Sequence, residues 1–280
     1  MSAAALTYPS APSSSAADTA LKSAARLWLL VALAGQWAFF YYIALFYGPS
    51  TLTGHFEAWR KHPMLFKGYV AGDTAGNLAF AAHALLAAIT SFGGAIQLIP
   101  QLRARAIGVH RWNGRLFLLT ALGVSVSGLY MVWVRGSNPS LVGRLGTSLN
   151  AVLIIACAVL AWRSALARDV STHRRWALRT FLVANGQWFL RVGVFAWLIV
   201  NQGPVGMGKN FDGPFIQFWD FACYLLPLAV LELYLRAKEG GAAPRWRFAM
   251  AGGLFVLTAL MAVGSFGFTM FTWKAILAKL

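Results

Sequence analysis

The chain has 280 residues, of which 59% are hydrophobic and only 11% charged, with a formal net charge of +16. A soluble domain carries about 25% charged residues, so this chain lacks the polar surface to cover a globule in water and belongs in a lipid bilayer. The positive charges sit in short gaps between apolar runs, the pattern of membrane topology and not of a nucleic-acid-binding face, so no nucleic-acid partner is expected.

Residues 2–19, SAAALTYPSAPSSSAADT, are small, Ser/Ala/Pro-rich and nearly uncharged. Such a stretch buries no core, and a disordered tail is expected over 1–21, followed by a single domain over 22–280. No basic start precedes a short apolar core with a cleavage site, so the first span is expected to act as an uncleaved anchor. A span needs about 20 mostly apolar residues. Seven such runs follow, at roughly 25–47, 76–99, 113–134, 146–167, 177–200, 215–235 and 248–271. The fold class is therefore all-α: a polytopic membrane protein of seven transmembrane helices with a core of spans two to five. The short gaps make successive helices antiparallel neighbours. Cys157 and Cys223 each lie inside an apolar run with no CxxC spacing and read as packing residues.

Of the 24 Lys and Arg residues, fifteen fall on the side of the N-terminus and eight on the other, with Arg191 inside a span. The excess marks the cytoplasmic side. The expected location is the plasma (inner) membrane, with the N-terminus in the cytoplasm and the C-terminus outside.

Ionisable residues inside spans are costly and are functional candidates by default. His83 lies in the second span, Arg191 in the fifth, and Asp220 and Glu232 in the sixth. A rise of about 1.5 Å per residue puts His83, Arg191 and Asp220 at one level, about 8–12 Å from the outer ends of their spans. Gln187 is one turn before Arg191, on the same face. Arg191 and Asp220 fit either a buried ion pair or a polar cavity open to the outside, holding an anion, a quinone head group or a cofactor edge. The face of His83 also carries Gly76, Ala79 and Ala87, small residues that allow close helix approach, so this face is expected to be buried against protein. Glu232, near the inner end, is expected to pair with Arg236. His55 and His62 lie in an outer loop and are candidates for an outer ligand facing His83.

Two further sites stand at the inner mouths of spans three and five: VHRWNGRLF over 109–117 and THRRWALRTF over 172–181. A haem between membrane helices needs two neutral imidazoles from different helices, and its propionates favour Arg at the water boundary. His110 and His173 meet the first demand, and Arg111, Arg115, Arg174 and Arg179 the second; His83 is a third candidate iron ligand. Topology alone also places Arg at a cytoplasmic helix start, and Trp112 and Trp176 fit an aromatic belt, so a structural or lipid-head-group role stands beside haem, quinone, metal ion and proton relay.

The stretches AAHALLAAITSFGGAIQLIP, GVHRWNGRLFLLTALGVSVSGLY and THRRWALRTFLVANGQWFLR resemble the predicted membrane proteins of the domain-of-unknown-function family numbered 2306, over about residues 75–195. The marks are the mid-helix His83, an HRxxGR box (His110, Arg111, Gly114, Arg115), Ser127 with Gly128, and an HRRW box (His173, Arg174, Arg175, Trp176) followed by Arg179. The usual Met after HRRW is Ala177 here. The family supplies no established activity. By analogy, its helical core looks like di-haem cytochrome b and ferric-reductase bundles. Three core histidines do not furnish two bis-histidine haems without His55 or His62.

Two function classes follow. One is a redox-linked membrane protein holding haem b or quinone, acting in electron transfer or as a subunit of a larger complex. The other is a non-catalytic accessory or assembly subunit, or a small-solute carrier. No soluble catalytic domain or nucleotide motif points to an independent enzyme, and no inverted repeat with broken helices favours a carrier.

Overall fold

A computed structural model describes residues 15–61, 67–239 and 242–277. Among these the regular structure is helical, with no strand: α1 (Ala16–Thr53), α2 (Thr74–Gln97), α3 (Pro100–Arg105), α4 (Ile107–Trp133), α5 (Leu141–Leu166), α6 (Val170–Ala184), α7 (Gly186–Val200), α8 (Pro214–Lys238) and α9 (Pro244–Leu277). A single 3-10 turn, Phe56–Lys61, lies between α1 and α2. Helices α1, α2, α4, α5, α8 and α9 are each long and apolar enough to cross a membrane, and α6 with α7, bent by 55° at the break between them, makes a seventh if the pair counts as one span.

The local chemistry of the helix ends is written in the sequence. Helices leave their first N–H groups without intrahelical partners, and Ser15, Asp73, Ser140 and Asp169 each accept one of these through the side chain. Pro100, Pro214 and Pro244 open α3, α8 and α9, where a missing N–H costs nothing. The expected tail is shorter than its composition implied. Residues 1–14 lie outside the described residues, but α1 starts at Ala16, because Ser15 caps it and Ala17, Leu21 and Ala24 are buried, the latter two against Ala237, Met250 and Leu254.

The Asp169 cap is also a pH marker. Its carboxylate accepts from the Thr172 N–H at 3.0 Å and the Ser171 hydroxyl at 2.9 Å, which hold its pKa down from 3.8 to about 2. A carboxyl whose folded pKa is depressed contributes stability above its unfolded pKa and loses it as pH falls through the folded one. The melting-temperature gap between the wild type and Asp169→Ala should therefore be full above about pH 4 and close toward pH 2. A gap that does not change with pH contradicts this.

The helices do not all pack on their sequence neighbours. α2 lies between α1 and α4, and α5 packs on α4 and α6, as short connections dictate. α9, however, packs mainly on α1 and α7 and touches α8 little. Its partnership with α1 is parallel and in register: Asp18 pairs with Arg247 at the helix starts, and Phe39, 21 residues on from Asp18 (39 − 18), meets Phe268, 21 residues on from Arg247 (268 − 247), edge-on at 5.7 Å. An odd number of spans makes the first and last helices run in the same direction. Gly264 allows α9 to lie directly on α7, since a Cβ there would collide with the Val192 carbonyl. Between α1, α2, α7 and α9 runs the main core, dominated by Phe39, Tyr42, Phe46, Tyr47, Trp59 and Phe80.

The bend between α6 and α7 falls on Asn185-Gly186. Asn185 leaves the helical conformation and turns its side-chain amide back to donate to the Phe181 carbonyl at 2.8 Å. Gly186 lets the amide of Asn150 on α5 press against the backbone. A kink inside a membrane helix needs such local replacement of the lost ladder bonds.

Candidate functional site

Polar residues in the half of the bundle away from the start of α1 gather around Arg191. This residue projects from α7 toward α1, with its guanidinium 5.6 Å from the centre of the Phe39 ring. One of its nitrogens, Nη1, donates to the Gln187 carbonyl at 2.7 Å. The remaining guanidinium nitrogens make no hydrogen bond among the described residues, and no carboxylate pairs with it. Tyr42, Tyr47 and Cys223 lie within its electrostatic reach, as does His83 from α2. The hydroxyls of Tyr42 and Tyr47 are hydrogen-bonded to each other. Trp59, only 1% exposed, closes the end of the bundle beyond α1 by packing on Tyr47 and Phe80.

His83 has a defined hydrogen-bonding role. The Ser127 hydroxyl donates to the Gly123 carbonyl at 2.6 Å. A hydroxyl has one proton, so the 2.8 Å contact between Ser127 Oγ and His83 Nδ1 assigns the proton to Nδ1. Nε2 has no hydrogen-bond partner among the described residues, and in the neutral ring it carries the lone pair. The face of His83 does meet protein, as expected: Ser127 bonds the ring and Gly128 lies beside its Cε1.

Asp220 does not join this centre by an ion pair. Depth along a helix fixes level but not direction, and α8 meets α7 instead through Trp219, whose indole donates to the Leu190 carbonyl at 3.1 Å. Asp220 packs its backbone on Gly146 of α5. Gln187 contributes its carbonyl to Arg191, while its side chain has no bond to it. Glu232 pairs with Arg179 and not with Arg236, accepting from Nε at 2.8 Å and Nη2 at 2.9 Å, because Arg179 on α6 faces α8 at that level. His55 is exposed, and His62 lies outside the described residues.

Sequence reasoning missed several buried polar residues of the bundle. Gln36 on α1 is fully buried, and neither its amide nitrogen nor its oxygen has a hydrogen-bond partner among the described residues. It stands one turn inward of Phe39. Thr90 on α2, 2% exposed, also has an unpartnered hydroxyl. Tyr42 and Tyr47 carry no charge and merge into an aromatic run. Arg135 was counted only as an outer-side charge, yet it is 8% exposed. It donates to Asp73 at 2.8 Å, Asn77 at 2.6 Å and the carbonyls of Lys67 and Gly68 at 2.8 and 3.2 Å. The available signal was Asp73-x-x-x-Asn77, two polar groups one turn apart at a helix start.

At the opposite end of the bundle, the HRxxGR and HRRW boxes begin in the first turns of α4 and α6. His173 Nδ1 is 2.9 Å from the Ala161 carbonyl, which can only accept, so Nδ1 donates and Nε2 is free. His110 and His173 lie within electrostatic reach of each other. The Arg residues around them are engaged or outward. Arg179 is held by Glu232, and also stacks on Trp176 at 4.7 Å; Arg115 stacks on Trp112 at 4.8 Å. Arg111 and Arg174 are exposed, and neighbouring Arg175 pairs with Glu239. No cluster of three or more His, Cys, Asp or Glu side chains able to hold a metal ion occurs among the described residues.

These features define an integral membrane protein of helical-bundle type with a polar centre under an aromatic cap. The family model described as "Predicted membrane protein (DUF2306)" matches residues 80–208. The resemblance read from the His83, HRxxGR and HRRW marks is thereby borne out, and the match runs from within α2 to the loop after α7. His83, Ser127 and Arg191 fall inside the matched region, whereas Gln36, Tyr42 and Tyr47 on α1 and Asp220 on α8 fall outside it. No curated protein and no solved structure matches the chain.

Proposed function

We propose that this chain is a redox-linked membrane protein that binds the head group of a quinone between Arg191 and His83. The observation that carries the reading is the pairing of opposite hydrogen-bonding roles in one apolar centre. Arg191 presents open donors, and His83 presents an open acceptor at Nε2. A simple anion satisfies the arginine but repels the lone pair. A quinone oxygen accepts from Arg191, and the hydroxyl of the reduced quinol donates to His83. The aromatic rings of Phe39, Tyr42 and Tyr47 supply flat surfaces for such a head group. The chain then serves as the quinone-holding part of a larger membrane assembly, with the two electrons per quinone exchanged with a partner subunit bearing its own redox cofactor. The excess of Lys and Arg at one end supports the plasma membrane with the N-terminus in the cytoplasm.

A second reading rests on His173. Its Nδ1 bond to a backbone carbonyl is the outer bond that metal-ligating histidines make, and His110 is near. This supports a haem b held by His110 and His173 at the inner mouths. The engagement of Arg179 by Glu232 removes one expected propionate partner, so the quinone reading is favoured.

One preparation separates the two. Protein purified in mild detergent is expected to yield about one quinone per chain on solvent extraction, with no Soret band, and His83→Ala is expected to lose the quinone. A reducible Soret band that disappears in His173→Ala favours haem. A colourless preparation free of quinone, from cells replete in both, contradicts both and leaves an accessory or assembly role.

A further inference from the structure

A groove on the outside of the bundle, away from Arg191, lies between α1, the last turns of α2 and the short helix α3. The sequence builds it locally. α2 ends at Gln97, Ile99 is extended, and Pro100 opens α3, so the chain turns and brings α3 to the same groove as Trp37 and Tyr41 of α1. Residues three and four apart share a helix face, which sets Gln101, Leu102 and Arg105 together on its edge. The floor is held by packed rings: Phe92 meets Trp37 at 6.1 Å and Phe40 at 4.8 Å between centroids. The groove stays open sideways, where Tyr41 is 52% and Phe92 36% exposed.

The groove changes character along its length. Phe92, Ile96 and Ile99 give it an apolar wall of about 10 Å at 1.5 Å per residue. Beyond that wall stand Gln101 and Arg105. The change runs from mid-span toward the end of the bundle where α1 starts, as it does along a lipid in a leaflet. Arg105 is exposed and has no ion pair among the described residues. Nor does a carboxylate compete for it. That end of the chain carries fifteen Lys and Arg residues against Asp18, Asp169, Glu232 and Glu239. Three of these acids pair with Arg247, Arg179 and Arg175, and Asp169 caps α6.

From the apolar wall and the unengaged guanidinium at its end we infer that this groove binds an anionic phospholipid. An acyl chain lies along Trp37, Phe92 and Ile96, and the phosphate accepts from Arg105, with the Gln101 amide as a second donor. The surplus of positive charge selects the head group: it attracts a net anion, whereas the cation of a zwitterionic head group is repelled. A free anion gains nothing from the apolar wall, and an apolar helix from a partner leaves Arg105 without a counter-charge. The site is separate from the Arg191 centre and does not depend on what binds there.

The test places the full-length protein in mixed micelles with phosphatidylglycerol and phosphatidylcholine of identical acyl chains at equal mole fraction. Native mass spectrometry then counts each lipid retained. The wild type is expected to retain phosphatidylglycerol about five- to tenfold over phosphatidylcholine, the order of effect of one Lys or Arg on an anionic lipid. Arg105→Gln is expected to remove that excess. Arg163→Gln, at another exposed arginine of the same end, is expected to keep it, and both variants should melt like the wild type in lipid-free detergent. Ile96→Trp and, independently, Leu102→Trp fill the groove, and each is expected to abolish the excess as well. Equal retention of the two lipids by the wild type, or equal losses in Arg105→Gln and Arg163→Gln, would show diffuse surface charge and overturn the site. The site also falls if both well-folded filling variants keep the excess, because the acyl chain then lies elsewhere. It falls too if glycerol phosphate, which has no acyl chain, displaces the lipid, or if the protein is a dimer that the filling variants split. Those results would assign the groove to a free phosphate or to a second copy of the chain.

Discussion

Arg135→Met is expected to destabilise the protein by about 3–5 kcal/mol, the usual cost of removing one partner from a buried charged network. The side chain is 3% exposed and its partner Asp73 41%, so the loss is concentrated on the arginine side. Four acceptors converge on the one guanidinium: the Asp73 carboxylate, the Asn77 amide oxygen and two loop carbonyls. Without it these acceptors face each other with no donor between them. Asp73 also caps α2 by accepting from Gly76 N–H at 2.9 Å, and Asn77 holds Val70 through two bonds. The same change therefore loosens the loop over 67–73 and the start of the helix that carries His83. The check is thermal unfolding beside limited proteolysis, with Arg105→Met, an exposed site, as the control. A fall no larger than that of the control would show that the clasp contributes little.

Arg191→Met is expected to do the opposite. A half-buried guanidinium inside a span, with one backbone bond and no carboxylate partner, is a cost to the fold, and replacing enclosed ionic groups by apolar side chains of similar volume is often neutral or stabilising. Melting temperature should be equal to or above that of the wild type. Quinone affinity should fall by about ten- to a hundredfold, since a hydrogen bond to a charged group contributes about 1.5–3 kcal/mol. If Arg191→Met unfolds the protein, the arginine is a structural strut and the site reading fails. If it folds and binds as before, the ligand sits elsewhere.

The spans were legible because lipid imposes a length and a composition on each of them. The shared direction of α1 and α9 follows from an odd number of spans, but that they pack on each other, and that α9 also packs on α7, was not readable there. The break at Asn185-Gly186 escaped the hydropathy reading because two small polar residues are averaged away in an apolar run; the dipeptide itself is a turn signal. At the site, His83 and Arg191 were visible as ionisable residues out of place in lipid. Asp220 was grouped with them on depth alone, and the azimuth of α8 sends its contacts to α5 instead. Gln36, Tyr42 and Tyr47 were missed since they bear no charge, though Gln36 is a lone amide in the run QWAFFYYIALFY. Arg135 and Arg179 show the converse error. Arg135 looked like topological charge and Arg179 like topological charge or a propionate partner, and each is fixed by a specific carboxylate that only the helix packing brings near.

The most direct test of the central claim is the infrared carbonyl band of a carbonyl-labelled, decyl-tailed benzoquinone bound to the protein. Donation from Arg191 to a quinone oxygen should lower that band relative to the same quinone in detergent alone, and Arg191→Met should return it to the detergent value at saturating ligand. A bound quinone whose carbonyl band matches the detergent value in the wild type, or one lowered equally in Arg191→Met, would contradict the account.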